Sequence, residues 1–261
     1  MPIHVGHALH SETNLGMQCD DEGDNISLKN GSYCELTGMY WAWKNLKNVD
    51  IIGLNHYRRY FDFHKKVGFA QPEKQIKTKD FGTCNFDIPQ KIVNLVNNGS
   101  VIVAKPRSYP VDIYTNYCCD HYSTDIKNLR KVIEEFCEKK YIKAFDTIMD
   151  SCKLIHYNMF LMQWEQYEKY CQWLFNILAI MEQRTNIENY DTTQKRIYGY
   201  LAERLFNVYL LANKVKTKQY PILWFFDDYY PQYSSLTSIL RNFRNKLLNI
   251  MEHPKRYFIK K

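Results

Sequence analysis

"IIGLNHYRRYF", residues 51–61, sets an apolar run, Ile51 to Leu54, against His56, Tyr57, Arg58, Arg59 and Tyr60. A short apolar run bounded by polar residues reads as a buried strand, and this one hands its cationic residues out at its end. Just upstream, "YCELTGMYWAWKNLKN" places Tyr33, Leu36, Tyr40 and Trp43 at helical spacing, which predicts a helix over 33–47 with Ser32 and Glu35 as a capping box. A helix followed at once by a buried strand is the alternation of an α/β fold. Open α/β sheets bind ligands beyond the carboxyl ends of their strands, so His56, Tyr57, Arg58 and Arg59 are candidate binding residues. Neighbours on a strand face opposite ways, so one of the two arginines is expected in the crevice. Two arginines flanked by tyrosines could also pair with surface carboxylates, but at a strand end the site reading is preferred.

Further elements follow the same logic. "DIPQKIVNLVNNG" predicts a short amphipathic helix ended by Asn-Asn-Gly, and "SVIVAKP" a second buried strand stopped by proline. Residues 64–85, rich in Lys and Gln, read as a surface excursion. Residues 111–150 read as helical, "KLIHYNMFLMQW" as a third strand, and "EQYEKYCQWLFNILAIMEQR" and "TTQKRIYGYLAERLFNVYLLAN" as long helices. The expected organisation is one domain over 1–230 and a basic amphipathic tail over 231–261. In that tail Leu236, Ile239, Leu240, Phe243, Leu247 and Ile250 form an apolar stripe beside Arg241, Arg244, Lys246, Lys255, Arg256, Lys260 and Lys261. This pattern suits an interfacial helix on an anionic membrane, and equally a terminal helix docked on its own domain.

Composition narrows the class. A chain of 261 residues with 45% hydrophobic content can bury a large core, and a net charge of +7 favours an anionic partner without naming it. Aromatic residues at 15% exceed what a core needs and suit a cleft that binds sugars or bases. Eight cysteines without a C-x-x-C pair point to reduced thiols in a cytosol rather than to disulfides or zinc. The opening residues resemble no signal peptide, and no apolar run is long enough to span a membrane. The expected place is therefore cytoplasmic, with the tail allowing peripheral contact at the inner membrane face.

Several other constellations bear chemistry. Asp24 and Asn25, in "DEGDNIS", can accept hydrogen bonds from ribose or sugar hydroxyls, or merely form an Asx turn. Asp191 stands before a helix that carries Arg196, Glu203 and Arg204. It can serve as general base or as helix cap, and Glu203 with Arg204 as a second base candidate or an internal ion pair. His4, His7 and His10 recur every three residues, but Pro2 and Gly6 argue against the helix that would align them, so no metal site is expected. The P-loop, G-x-G-x-x-G, G-x-S-x-G and H-E-x-x-H motifs are all absent. Nucleic-acid binding has no module behind it.

Taken in order, "PIHVG" (2–6), "GDNISLKNGSYCELTGMYWAWKN" (23–45), "IIGLNHYRRYF" (51–61), "KLIHYNMFLM" (153–162) and "RIYGYLAERLFNVYL" (196–210) resemble the bacterial polysaccharide-biosynthesis glycosyltransferases grouped as domain of unknown function 4422. The resemblance implies a GT-A-like α/β fold: a nucleotide-sugar-binding mixed sheet flanked by helices. It implies transfer of a hexosyl unit, galactose in furanose or pyranose form, from a UDP-sugar to a glycan or lipid-linked acceptor of capsule, exopolysaccharide or O-antigen synthesis. Many GT-A enzymes end the corresponding strand in an Asp-x-Asp that holds a divalent metal. Here "NHYRR" has no carboxylate, so a metal-independent reaction without cofactor is expected, His56, Arg58 and Arg59 stabilising the leaving diphosphate.

Carried over on the matching positions, the resemblance gives Asp24, Asn25, Tyr57, Arg58 and Arg59 to the donor and His121, His156, Asn158 and Arg196 to the acceptor and sugar side. Asp191, Glu203 and His56 go to catalysis. Related chains open with a further strand of the type "ILVATHK" before "PIHVG". Its absence here leaves room for a non-catalytic nucleotide-sugar or glycan-binding subunit as the competing reading.

Overall fold

The computed structural model describes residues 1–64 and 72–227, together with Leu240, Phe243, Arg244, Leu247 and Met251. In chain order its strands are β1 (Ile3–His4), β2 (Gln18–Cys19), β3 (Ile51–Leu54), β4 (Arg59–Phe61), β5 (Glu73–Lys77), β6 (Val101–Ala104), β7 (Arg107–Ser108), β8 (Lys153–Leu154), β9 (Phe160–Gln163), β10 (Thr217–Tyr220) and β11 (Ile222–Phe226). The helices are α1 (Asn30–Tyr33), α2 (Leu36–Asn45), α3 (Gln90–Asn97), α4 (Ile113–Asp120), α5 (Ser123–Phe136), α6 (Lys139–Met149), α7 (Trp164–Arg184) and α8 (Ile197–Ala212).

The frame is a four-stranded sheet ordered β10-β6-β9-β3, in which β10 runs parallel to β6 while β9 is antiparallel to both β6 and β3. Its centre is buried on both faces. Val101 and Val103 of β6 point into a large core shared with α5 to α8, whereas Ile102 and Ala104 point into a smaller core with Phe61, Ile92 and Met159. A strand covered on both sides needs a continuous apolar run rather than alternation, which is why "VIVA" is legible as a strand. A second sheet, β4-β11-β5, has β11 at its centre, antiparallel to β4 and parallel to β5. This mixed α/β architecture is the expected GT-A-like class.

Local expectations need correction at the places where the backbone leaves the ordinary regions. The helix predicted over 33–47 is two helices, because Cys34 takes φ 52° and breaks the chain between α1 and α2. The capping box does not form. The Ser32 hydroxyl donates to Lys29 O, and the Glu35 carboxylate accepts from Asn158 Nδ2 at 2.8 Å instead.

"KLIHYNMFLMQW" is likewise not one strand: β8 and β9 are separated by a bend in which Tyr157 and Asn158 have φ 77° and 50°. The 64–85 excursion contributes β5 to the second sheet, and residues 217–226 form β10 and β11 where periodicity assigned nothing. "IIGLNHYRRYF" is two strands rather than one with a ragged end. His56 and Arg59 exchange both backbone hydrogen bonds at 3.1 Å, and the turn between them sends Arg59 into β4, opposite Trp224 of β11.

Among the described residues no helix is long and apolar enough to cross a membrane. In the tail, the described positions Leu240, Phe243, Leu247 and Met251 are helical and exposed; the rest of the predicted stripe lies outside the described residues.

Candidate functional site

The bend at residues 155–158 organises the chemistry. It is tied to one face of α8. Asn207 Oδ1 accepts from Ile155 N at 3.0 Å, Asn207 Nδ2 donates to Ile155 O at 2.8 Å, and Glu203 Oε1 accepts from Tyr157 N at 2.9 Å. Positive φ at a bulky residue such as Tyr157 costs of order 1–2 kcal/mol, so these bonds hold a peptide that the chain alone would not adopt.

Once bent, Tyr157 becomes a junction. Its carbonyl faces His56 Nε2 at 2.6 Å, and its hydroxyl meets both Glu73 and Arg107. Burial raises the Tyr157 phenol well above its ordinary range, with Arg107 pulling the other way and Glu73 reinforcing, so the hydroxyl stays protonated and donates to Glu73. Arg107 in turn grips Glu73 with Nε at 2.7 Å and Nη2 at 2.5 Å, a two-pronged pair of the strong kind.

Arg59 is held differently. Its guanidinium lies between two rings, 4.4 Å from the centre of Tyr157 and 4.5 Å from that of Trp224. Its Nε is buried without a hydrogen-bond partner, and among the described residues no carboxylate pairs with it. Arg107 is neutralised by Glu73, so Arg59 is the cation of this cluster left for a ligand. Arg58 lies instead over exposed Tyr57, 4.8 Å from its ring centre. The turn separates the two arginines, one to the cluster and one to the surface.

On the α8 side, Glu203 Oε2 stands 3.2 Å from both His156 Nδ1 and Arg204 Nη1, while the other ring nitrogen of His156 meets the Tyr109 hydroxyl. Burial would raise the Glu203 carboxyl, but His156, Arg204 and the Tyr157 N–H overcome it and hold it at about 2. Glu203 is thus an ionised anchor with little basicity. Asn158 donates to Glu35 and leaves its own Oδ1 buried without a partner. Arg196 reaches toward the same corner, its Nε 3.2 Å from Cys34 Sγ.

The other sequence-derived candidates sit farther out. Asp191 is exposed, its Oδ1 accepting from Thr193 N and Gln194 N at 2.8 Å, which caps the turn leading into α8. His121 stacks on Tyr200 with ring centres 4.1 Å apart and bonds Gln194 through Nδ1 at 3.1 Å. Burial lowers its pKa, the Gln194 bond opposing this in part. The hydrogen bonds of Asp24 and Asn25 go to their own loop and to α2, through Tyr40, Asn45, Asp21, Gly23 and Ser27, so they form the Asx-type turn.

Glu35, Glu73, Arg107, Tyr109 and Trp224 complete the cluster and were not expected as site residues from the sequence, where Glu35 reads as half of a capping box. Arg107 carried a usable signal, since it follows a buried strand just as Arg59 does. Glu73 and Trp224 sit on strands whose pairing only the tertiary fold supplies.

The structure resembles that of the WbbM bifunctional glycosyltransferase in its apo form, with a TM-score of 0.75 and 30% sequence identity. The match covers 89% of this chain and 44% of that one, so this chain spans less than half the length of the protein it resembles. No curated protein matches the chain. The fold is thus glycosyltransferase-like, and the family model described as "Domain of unknown function (DUF4422)" matches residues 1–214, so the chain belongs to that family.

Proposed function

We propose that this chain is a glycosyltransferase that moves a hexosyl unit from a UDP-sugar to a glycan or lipid-linked acceptor, with galactose, as furanose or pyranose, the favoured sugar. The observation that carries the reading is Arg59, a half-buried guanidinium whose Nε is buried and unpartnered, held in place by two aromatic rings. A cation that no carboxylate among the described residues pairs with suits a ligand that brings its own negative charge, such as a nucleoside diphosphate. The leaving diphosphate gains charge as the glycosidic bond breaks, and a fixed guanidinium stabilises that charge without reorganising. His56, whose Nε2 faces the Tyr157 carbonyl, positions the turn that presents Arg59.

Of the carboxylates, Asp191 is assigned as general base toward the acceptor hydroxyl, because Glu203 is committed to three partners and is too acidic for the task. His121, His156, Asn158 and Arg196 line the acceptor side, and Glu35 joins them through Asn158. Asp24 and Asn25 shape the neighbouring loop. The reaction proceeds without a divalent metal on the diphosphate. The exposed apolar residues of the tail, together with its basic residues, bring the enzyme to an anionic membrane that carries a lipid-linked acceptor.

One observation favours a second reading, binding without transfer: Glu203, the carboxylate beside His156, is used structurally. The experiment that separates the two is a UDP-sugar panel, read first by thermal shift and then by release of UDP with and without acceptor. Turnover that vanishes with chelator and returns with manganese or magnesium overturns the metal-independent mechanism. Binding of UDP-sugars with no release of UDP overturns transfer.

A further inference from the structure

Away from the cleft, the N-terminal segment gathers two imidazoles and a thiol. The parallel pair β1–β2 sets His4 directly opposite Cys19 in register. The chain then turns at Gly6, where φ is 73° and an added Cβ would lie 2.6 Å from the Asn30 side chain. Asp20 fixes that turn: its buried carboxylate accepts from Gly6 N at 2.9 Å and His7 N at 3.1 Å, and Ser27 Oγ donates to it at 2.5 Å. The result stands His7 against His4, ring centres 5.1 Å apart and nearly perpendicular. One donor atom from each of His4, His7 and Cys19 lies within 4.8 Å of the others.

We propose that His4, His7 and Cys19 form a binding site for a zinc-class ion that clamps β1 to β2, with the Asp21 carboxylate orienting His7. The donor set decides the class. Two nitrogens and a sulfur suit zinc or cobalt, whereas magnesium and manganese take oxygen ligands, so this ion is not the divalent metal of a diphosphate site. Zinc–nitrogen and zinc–sulfur bonds of about 2.0–2.3 Å put tetrahedral donors about 3.3–3.8 Å apart, within reach of small side-chain rotations from the observed spacing.

Two further observations point to an ion. His7 Nδ1 is 2.6 Å from Asp21 Oδ2, the carboxylate–histidine arrangement that fixes an imidazole so that its other nitrogen faces a metal. His4 Nδ1 is buried with no hydrogen-bond partner, a cost that coordination through that nitrogen would offset. A water completes the fourth position. Binding is balanced by one proton, since the Cys19 thiol gives up its hydrogen as the sulfur–metal bond forms and the imidazoles bind as neutral ligands. The row of His4, His7 and His10, from which no metal site was expected, thus gives way to a set assembled through strand pairing, with Cys19 in place of His10.

The test uses the full chain, stripped with chelator, desalted in reductant and titrated with cobalt(II). The expected result is one equivalent bound, with a thiolate-to-cobalt charge-transfer band in the near ultraviolet that zinc displaces and Cys19→Ser removes. Zinc should also raise the Tm of the wild type and leave that of His4→Ala unchanged. Asp21→Asn keeps every ligand and should bind about 10–100-fold more weakly, so it carries the test if the ligand variants fail to fold. No band at stoichiometric cobalt, a band that persists in Cys19→Ser, or unchanged affinity in Asp21→Asn overturns the site. None of these readouts depends on transferase activity.

Discussion

Tyr157 N donates to Glu203 Oε1 at 2.9 Å while the Tyr157 backbone sits at φ 77°, so a mostly buried carboxylate on α8 holds the bend around which the cluster of Arg59, Glu73 and Arg107 gathers. The carboxylate does this best while ionised, because a charged acceptor makes the stronger hydrogen bond. His156, Arg204 and the Tyr157 peptide keep it so by lowering its pKa from 4.5 to about 2 against the effect of burial.

That depression has a sign in stability. A carboxyl whose folded pKa lies below its unfolded value stabilises the fold above the unfolded pKa, and the contribution is lost as pH falls through the folded one. The window here runs from about 4.5 down to about 2, and the contribution above it is about 3 kcal/mol. Urea unfolding of Glu203→Gln at neutral pH should show a loss of that order. Wild type and variant should converge as pH approaches the bottom of the window. A gap that stays constant with pH would show that the charge is not what holds the bend.

The two arginines of "HYRRY" should behave differently. Arg59→Ala removes a half-buried guanidinium whose buried Nε has no partner, and hydrogen bonds to charged groups are worth about 1.5–3 kcal/mol, so UDP affinity measured by calorimetry should fall about 10–100-fold. Arg58 lies over an exposed tyrosine, and Arg58→Ala should change affinity less than about threefold. Equal losses in the two variants would remove Arg59 from the donor site.

How much of this was readable beforehand follows from the physics of each segment. β6, α7 and α8 were legible because a doubly buried strand and a long amphipathic helix write their burial into every residue. The breaks at Cys34 and at Tyr157–Asn158 were not, because tertiary bonds from Asn158 to Glu35 and from Tyr157 to Glu203 impose them, and of the three residues Asn158 alone favours turns. β5 was not legible for a related reason: Glu73–Lys77 is polar, and only its pairing with β11 makes it a strand, whereas β11 carries the apolar run of a buried strand, Ile222–Phe226, in its own sequence. His56, Arg59 and His156 could be found because cations and imidazoles at strand ends stand out. Glu73 and Trp224 reach the cluster through that late pairing.

Asp191 offers a clean test of catalysis, because asparagine keeps the oxygen that accepts from Thr193 N and Gln194 N. Asp191→Asn should therefore fold normally and retain UDP binding. A general base contributes about 10²–10⁴-fold, so kcat should fall at least about 100-fold with KM for the donor little changed. If Asp191→Asn turns over normally while Glu35→Gln, folded and donor-bound, does not, the base belongs to Glu35, which faces the cleft through Asn158.

The tail makes the last prediction. Leu240, Phe243, Leu247 and Met251 are exposed at helical spacing, and the adjoining sequence supplies Arg241, Arg244, Lys246, Lys255 and Arg256. A helix with that composition gains from burying its apolar side in the headgroup region and about 1 kcal/mol for each basic residue near an anionic surface. The full chain should therefore sediment with phosphatidylglycerol vesicles and not with phosphatidylcholine vesicles, and raised salt should release it. Phe243→Ser combined with Leu247→Ser should weaken vesicle binding at least about tenfold while leaving the UDP affinity measured without vesicles unchanged, since both residues are exposed. Equal binding to both vesicle types would mean that charge plays no part. Loss of UDP binding in the double variant would mean that the helix belongs to the catalytic domain rather than to a membrane.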